Sequence, residues 1–185
     1  MTDRLETLAE IETALWNELV TAASDKAHAW RTPVLATVNG DAADARVVVL
    51  REAAQSERQL VFYTDERAAK VSQLSTHPRG TVVMWSRALG WQLRCQVRLT
   101  VETSGLAASS RWAKISLTPA AQEYLCAVPP GTALADTAYP NSGAVLRDYF
   151  AVIDAQIDCL DWLELRREGN RRAIFDARGA RWVQP

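Results

Sequence analysis

Histidine and cysteine are scarce in this chain of 185 residues, and their positions argue against two large classes of enzyme. Only His28 and His77 are present, and Cys95, Cys126 and Cys159 form no C-x-x-C pair. Zinc sites need cysteine or histidine ligands at motif spacing, which the sequence does not offer. A Ser-His-Asp triad has only those two histidines to draw on, and the G-x-S-x-G elbow is absent. Zinc enzymes and most hydrolases are therefore disfavoured.

The chain also lacks an excess of positive charge and a long apolar run. Its 21 basic and 22 acidic side chains give a net charge of −1, whereas nucleic-acid binders usually carry a basic excess. No apolar stretch approaches the roughly 20 residues of a membrane helix. The N-terminal sequence MTDRLETLAEIE carries acids where a signal peptide has a basic start. We therefore expect a cytoplasmic protein that binds neither nucleic acid nor membrane.

The spacing of apolar residues predicts a single domain, residues 1–185, in which strands dominate. Hydrophobic residues make up 48% of the chain, enough to bury a core. Apolar residues alternate in short runs, which predicts antiparallel strands in a barrel or a sandwich rather than a parallel α/β sheet. The predicted strands are 33–38, 46–51, 59–64, 81–86, 91–102, 149–153, 156–166 and 171–176, followed by a short RWV strand.

Helices are predicted at three places around these strands. Helical spacing over 3–23, within an N-terminal segment 1–25, predicts an amphipathic helix that Asp3 and Glu6 cap. Residues 65–76 predict a short helix between two strands. A helical and loop excursion over 105–145 contains a helix at 105–114, a second that begins at Thr118-Pro119, and a loop at 129–144. The fold class is therefore mainly β with flanking helices (α+β).

The run RVVVLR, residues 46–51, predicts a central strand with an arginine at each end. The next strand delivers Tyr63 and Thr64 to the start of the 65–76 helix, which Asp65 is expected to cap. A strand end that meets a helix N-terminus offers free backbone N–H groups and a positive helix dipole. Such a corner is a favourable place for a phosphate.

Two cations of the 65–76 helix support this phosphate hypothesis. At about 100° per residue, Arg67 and Lys70 fall on the same face as Val71 and Leu74. Together with Thr64 they supply charge-assisted donors from several directions. The alternative is that both cations extend past the apolar stripe into water, and the spacing alone leaves both interpretations open.

The order of these segments resembles the pyridoxamine 5′-phosphate oxidase-like family. The matching segments are RVVVLR, LVFYT, ERAAKVSQLSTHPR, the long strand with Gln92, and the closing NRRAIFDARGARWVQP. The resemblance covers residues 30–102 and 149–185. It implies a split antiparallel β-barrel of the FMN-binding type, and a homodimer with flavin mononucleotide (FMN) held at the subunit interface.

The same resemblance assigns roles to individual residues. Lys70 and Arg172 would bind the FMN phosphate, and Gln92 would hydrogen-bond the flavin. Ala69 stands where the family has an arginine, so Arg67 is a candidate substitute. The predicted cofactor-binding residues are Arg46, Val47, Val48, Leu50, Arg51, Tyr63, Thr64, Arg67, Lys70, Gln92 and Arg172.

Departures from the family concern the substrate. Arg51 replaces a lysine, Trp112 stands near a tyrosine, and Glu168, Gly169 and Asn170 occupy the place of an Arg-x-His motif. The flavin half of the site is thus kept and the pyridoxine half is not. We expect an FMN-dependent oxidoreductase that acts on a small molecule beside Trp112. The alternatives are a non-catalytic module for flavin, pyridoxal phosphate or haem, and a structural barrel whose pocket is empty.

Overall fold

The computed structural model describes residues 4–134 and 149–185. Within them lie three α-helices, one short 3₁₀ helix and nine strands. No helix within these two ranges is long and apolar enough to span a membrane. The elements are α1 (Leu8–Ser24), β1 (Val34–Asn39), β2 (Ala42–Val47), β3 (Leu50–Ala54), β4 (Gln59–Asp65), α2 (Ala69–Thr76), β5 (Arg79–Ser86), β6 (Trp91–Glu102), α3 (Gly105–Ile115), the 3₁₀ helix (Pro119–Tyr124), β7 (Phe150–Glu164), β8 (Arg171–Asp176) and β9 (Gly179–Val183).

All strands pair antiparallel in one sheet of order β2-β1-β5-β6-β7-β4-β3, and β8 joins β7 to β9. The prediction of mainly β structure with flanking helices is confirmed. The long strand β7 organises this sheet, because β6 pairs along most of one edge while β4 and β8 share the other. β4 pairs with the half that begins at Phe150, and β8 pairs with the half that ends at Glu164. The predicted break between 153 and 156 is therefore wrong, since pairing with β6 runs through it.

The larger core lies under one face of the sheet, and a smaller cluster of Val61, Ala108, Tyr124, Phe150 and Val152 lies on the opposite face of β4 and β7. On β6, Leu93, Cys95, Val97 and Leu99 are buried and alternate with more accessible residues, as predicted. Helix α1 covers this core with its own apolar face and packs against β3. Its N-terminus differs from the prediction: the helix begins at Leu8, and Thr7 and Glu10 form the capping box.

The predicted strand 46–51 is two strands joined by Val48 and Val49. β2 lies at an edge of the sheet, where the Val47 side chain is 63% exposed, so the central-strand interpretation is wrong. The break lies where pairing with β1 ends, and there Val48 N donates to Pro33 O and Leu50 N to Arg31 O, at 2.9 Å each, in the residues that precede β1. The chain therefore leaves β1 and crosses to β4 within this short run.

The helix predicted at 65–76 begins four residues later, at Ala69. Asp65 belongs to β4, where it pairs with Phe150, and the N-cap is Ala68. The Asp65 carboxylate instead accepts from the backbone N–H of Arg67 at 2.8 Å and pairs with its guanidinium. Asp65 therefore stabilises a turn ahead of α2 and is not the predicted cap.

The excursion after β6 contains α3 as predicted. The second predicted helix is only the 3₁₀ turn at Pro119–Tyr124, with proline in its first turn. The last part of the excursion, 135–145, lies outside the described residues.

Candidate functional site

A cavity of about 260 Å³ opens where β4 ends and α2 begins. The link between β2 and β3 forms one side of it, and residues that follow α3 form another. We call it the β4–α2 cavity. Its lining residues are Val47, Val48, Val49, Arg51, Tyr63, Thr64, Asp65, Ala68, Lys70, Tyr124 and Pro130. Six of the predicted cofactor-binding residues therefore meet here.

Lys70 extends from the first turn of α2 toward the end of β4. Its Nζ donates to Oγ1 of Thr64 at 3.1 Å, and Thr64 is buried. Burial lowers the pKa of Lys70, and the nearby charge of Arg46 lowers it further. No carboxylate of the described residues lies within ion-pair distance of Nζ. A partly desolvated ammonium of this kind gains from the arrival of an anion.

Arg51 supplies the second cation of the β4–α2 cavity. Its guanidinium lies 5.3 Å from the centre of the Tyr63 ring, and its Nε is buried without a hydrogen-bond partner among the described residues. An unpartnered buried donor is costly, so this nitrogen is a natural contact for a ligand oxygen.

Tyr63 is fixed from behind by a charged pair. Its hydroxyl donates to Glu52 at 3.3 Å, and Glu52 accepts two hydrogen bonds of 2.9 Å from Arg111. Burial and the Glu52 charge raise the pKa of Tyr63 to about 12. The phenol therefore stays protonated, and its ring serves as a fixed wall of the cavity.

Three predicted residues face elsewhere. Leu50 is fully buried in the core. Arg46 pairs with Asp44 at 2.6 Å, donates to Thr37 Oγ1 at 2.6 Å and contacts the Gln73 side chain, so it ties β2 to β1 and α2. Arg67 pairs with Asp65 and reaches the backbone at 126–127. The assignment of these residues to the cofactor stays a prediction.

Gln92 and Arg172 lie together on the outer face of the sheet. Gln92 of β6 pairs with Leu163 of β7, which pairs with Arg172 of β8. Two residues away along β6 and β7, on the same face, the Asp161 side chain lies between those of Arg94 and Arg172. Register partners share a face, so these five side chains form one surface patch, which we call the outer row.

Asp161 holds both arginines of the outer row. Its side chain is only 6% exposed, and it accepts two hydrogen bonds of 2.8 Å from Arg172 and another from Arg94. Burial alone would raise the pKa of Asp161, but these hydrogen bonds outweigh it and lower the pKa below its ordinary value. Two cations share one anion here, so the outer row carries a net positive charge.

The β4–α2 cavity and the outer row lie at opposite ends of β7. Thr64 pairs with Ala151, and Arg172 pairs with Leu163. Twelve residue steps separate Ala151 from Leu163, which is about 40 Å measured along an extended strand. The predicted cofactor residues are therefore divided between two separate places in one chain.

Trp112 packs beside Tyr124, which lines the β4–α2 cavity. Its ring packs against Phe150 and Tyr124, with centroid distances of 5.4 and 6.4 Å. It lines a smaller pocket of about 130 Å³ beside α3 and does not line the β4–α2 cavity. Tyr124 stands between the two.

Tyr124, Pro130 and Asp161 were missed by sequence reasoning. Tyr124 and Pro130 reach the cavity from an excursion without a periodic pattern, and Asp161 acquires its partners only through strand register. The one available signal was Asp161 itself, a charged residue between the apolar Leu160 and Trp162.

The β4–α2 cavity fits the phosphate end of FMN. FMN combines a dianionic phosphate, a polar ribityl chain and a planar ring. Lys70 and Arg51 offer charge for the phosphate, and Thr64 offers a hydroxyl. Small-molecule sites usually measure roughly 300–1,000 Å³, so a cavity of about 260 Å³ encloses only part of such a ligand.

Comparison with protein families agrees with this geometry. Residues 13–103 match the model of the pyridoxamine 5′-phosphate oxidase FMN-binding domain. This range contains every predicted cofactor residue except Arg172. None of the curated proteins compared with the chain matches it.

Several solved structures share the fold. A pyridoxamine 5′-phosphate oxidase-related FMN-binding protein of Nostoc punctiforme is 22% identical, with a TM-score of 0.72 over 94% of this chain and 96% of that one. PhzG of Burkholderia lata, solved with tetrahydrophenazine-1-carboxylic acid, is 16% identical, with a TM-score of 0.76 over 99% and 98%. A heme-binding protein of Mycobacterium smegmatis is 14% identical, with a TM-score of 0.51 over 92% and 59%. The predicted split-barrel fold and the family resemblance are confirmed.

Proposed function

Because this chain belongs to the pyridoxamine 5′-phosphate oxidase-like family of FMN-binding domains, we propose that it is an FMN-dependent oxidoreductase for a small molecule. When bound, FMN supplies the hydride or electron transfer. The chain's own residues bind it, orient it and shield it from water. The observation that carries the proposal is the pair of cations, Lys70 and Arg51, that face the β4–α2 cavity without a carboxylate partner among the described residues.

The phosphate is assigned to the Lys70 side of this cavity. Lys70 Nζ donates to Thr64 Oγ1 at 3.1 Å, which holds the ammonium at the edge of the cavity, and its other protons are available to a phosphate oxygen. Arg51 adds its unpartnered Nε from the β3 side. Charge-assisted hydrogen bonds of this kind are the strongest that a phosphate makes with protein.

The second half of the site is assigned to another copy of the chain. The cavity and the outer row meet opposite halves of β7, so we assign the Lys70 and Arg172 of one FMN site to different protomers. Exposed apolar side chains on the same side of the sheet support a homodimer: Val47 is 63% exposed and Trp85 46%. Trp85 is the register partner of Gln92 in the outer row.

The substrate is proposed to be a small molecule other than a pyridoxine phosphate. Glu168 and Asn170, which stand at the family's Arg-x-His positions, are exposed in the turn between β7 and β8. Neither side chain carries the positive charge that a phosphorylated substrate needs. Access beside Trp112 remains the proposed route to the flavin.

The absorbance spectrum of the purified protein tests this function first. A flavin spectrum, with FMN identified by mass in the heat-released material, supports the cofactor assignment. Anaerobic reduction of that flavin by NADH, NADPH or another donor supports the oxidoreductase. Bound FMN that no donor reduces indicates the non-catalytic binding module. A colourless protein that also takes up no added FMN contradicts the proposal, and a haem spectrum would replace flavin by haem.

A further inference from the structure

Arg67 makes more polar contacts than its place in a turn requires. Its Nη2 and Nε pair with Asp65 at 2.6 and 3.0 Å. The same guanidinium donates to the backbone carbonyls of Cys126 at 2.8 Å and Ala127 at 3.2 Å. It also stacks on the Tyr149 ring, 3.3 Å from the centroid. One side chain thus joins β4 to two segments that are distant in sequence.

The residues that Arg67 holds belong to a wall of the β4–α2 cavity. Tyr124 and Pro130 line the cavity, and they flank the two carbonyls that accept from Arg67. We call residues 124–130 the cavity wall. Apart from Arg67, the backbone of Tyr149 bonds to both Glu66 and Tyr124, which closes the same corner.

Arg67 itself does not line the β4–α2 cavity, although Asp65 and Lys70 do. We infer that Arg67 is a positioning residue that keeps the cavity wall closed over the phosphate end of the cavity, and that opening of this wall governs ligand exchange. Its guanidinium fork suits this task, because it reaches a carboxylate and two carbonyls at once. The attachment of the wall stands on these contacts alone, whereas its effect on FMN exchange rests on the proposed function.

The chain contains a natural reporter for this wall. Cys126 lies in the wall and is partly accessible, whereas Cys95 and Cys159 are buried. The rate of Cys126 alkylation by iodoacetamide, read by peptide mass, therefore reports wall opening. The two buried cysteines report global unfolding in the same sample.

A matched control lies in the β8–β9 turn. Arg178 follows Asp176 as Arg67 follows Asp65, and its backbone N–H donates to that carboxylate at 2.9 Å. The Arg178 side chain is 80% exposed and pairs only with Asp176 among the described residues. Arg178→Gln should leave Cys126 alkylation unchanged.

We expect Arg67→Gln to accelerate Cys126 alkylation about tenfold or more, since charged hydrogen bonds to the wall are lost. The alkylation rate of Arg67→Lys should lie between those of the wild type and Arg67→Gln, because lysine keeps the charge but lacks the forked guanidinium. An unchanged Cys126 rate in folded Arg67→Gln overturns the proposal. Reaction of Cys95 in that variant would indicate global unfolding. Arg67→Lys and amide hydrogen exchange at 124–128 then serve as the test, and unchanged protection of these amides likewise overturns the proposal.

FMN release then tests the second part. Release should be faster from Arg67→Lys than from the wild type, while both prefer FMN over riboflavin. Faster Cys126 alkylation with unchanged release contradicts control of ligand exchange. A wild type that binds no FMN contradicts the proposed function and with it this second part, while the alkylation result still decides the role of Arg67.

Discussion

At the Phe150 end of β7, Lys70 and Arg51 face a cavity with no carboxylate of the described residues within ion-pair distance. At the Glu164 end, Arg94 and Arg172 share the buried carboxylate of Asp161. Each end brings together two cations from different elements: Lys70 of α2 and Arg51 of β3 at one, Arg94 of β6 and Arg172 of β8 at the other. In the first the charges are left for a ligand, and in the second they are largely satisfied inside the fold.

This difference separates binding from positioning. Lys70 and Arg51 are held near apolar and aromatic surfaces, where an added anion offsets the cost of burying their charge. Arg172 already has two hydrogen bonds to Asp161, so its orientation is fixed before any ligand arrives. Preorganised groups of this kind lose little entropy on binding. We therefore expect substitutions in the cavity to act on affinity and substitutions of Asp161 to act first on stability.

The largest effect is expected from Lys70→Met. Loss of the charge-assisted contact should weaken FMN binding about 100-fold. Riboflavin, which lacks the phosphate, should bind with nearly unchanged affinity. Flavin fluorescence titration measures both. Lys114→Met, on the exposed last turn of α3, is the control and should change neither value. Equal loss for FMN and riboflavin would remove Lys70 from the phosphate site.

Asp161→Asn should lower the free energy of unfolding by about 2 kcal/mol, because Arg94 and Arg172 lose a buried partner while both stay partly solvated. Asp158→Asn is a matched control on the same strand. Asp158 also contacts two arginines, Arg79 and Arg98, but these are 76% and 59% exposed, so the loss should stay below about 0.5 kcal/mol. Urea unfolding compares the two variants, and equal losses would contradict the distinction.

The affinity for FMN should fall about tenfold as the pH rises from 7 toward 10. This loss should begin at a lower pH than it would with a lysine of ordinary pKa. Burial and Arg46 lower the pKa of Lys70, so its charge is lost at a lower pH, and phosphate binds the charged form. Fluorescence titration at a series of pH values measures this decline. Lys70→Arg stays charged and should give a flat profile. A flat profile for the wild type would show that Lys70 does not bind the phosphate.

The smallest effect is expected from Tyr63→Phe. Only a hydrogen bond of 3.3 Å to Glu52 is lost, while the ring under Arg51 remains. FMN affinity should change about twofold or less, and stability by about 0.5 kcal/mol. Tyr63→Ala removes the ring as well and should weaken FMN clearly more. A large effect of Tyr63→Phe in the same titration would assign the hydroxyl a direct role at the ligand.

Local patterns predicted much of the fold and part of the site. The alternation in β6 gave its buried face correctly, and the strand–helix corner with Lys70 and Thr64 was found from helical spacing. The break after Val47 was missed because a run of four apolar residues carries no period. The continuity of β7 was missed for a related reason, since pairing with β6 decides where it runs.

Contacts between residues that are distant in sequence could not be predicted from local sequence patterns. Arg67 shared a helical face with Lys70 in the prediction, but its turn conformation and the carbonyls at 126–127 direct it to the cavity wall. Arg172 was identified through the family resemblance alone. Its dependence on Asp161 follows from strand register, which local propensity does not determine.

The central claim is that FMN joins the β4–α2 cavity of one protomer to the outer row of its partner. Mixing subunits tests it most directly. Lys70→Ala and Arg172→Ala should each bind FMN poorly alone. After the two variants are unfolded together and refolded, half of the dimers should pair one of each, and each mixed dimer should hold one intact site. The account predicts recovery of about one quarter of the wild-type FMN content. No recovery in mixed dimers would contradict it.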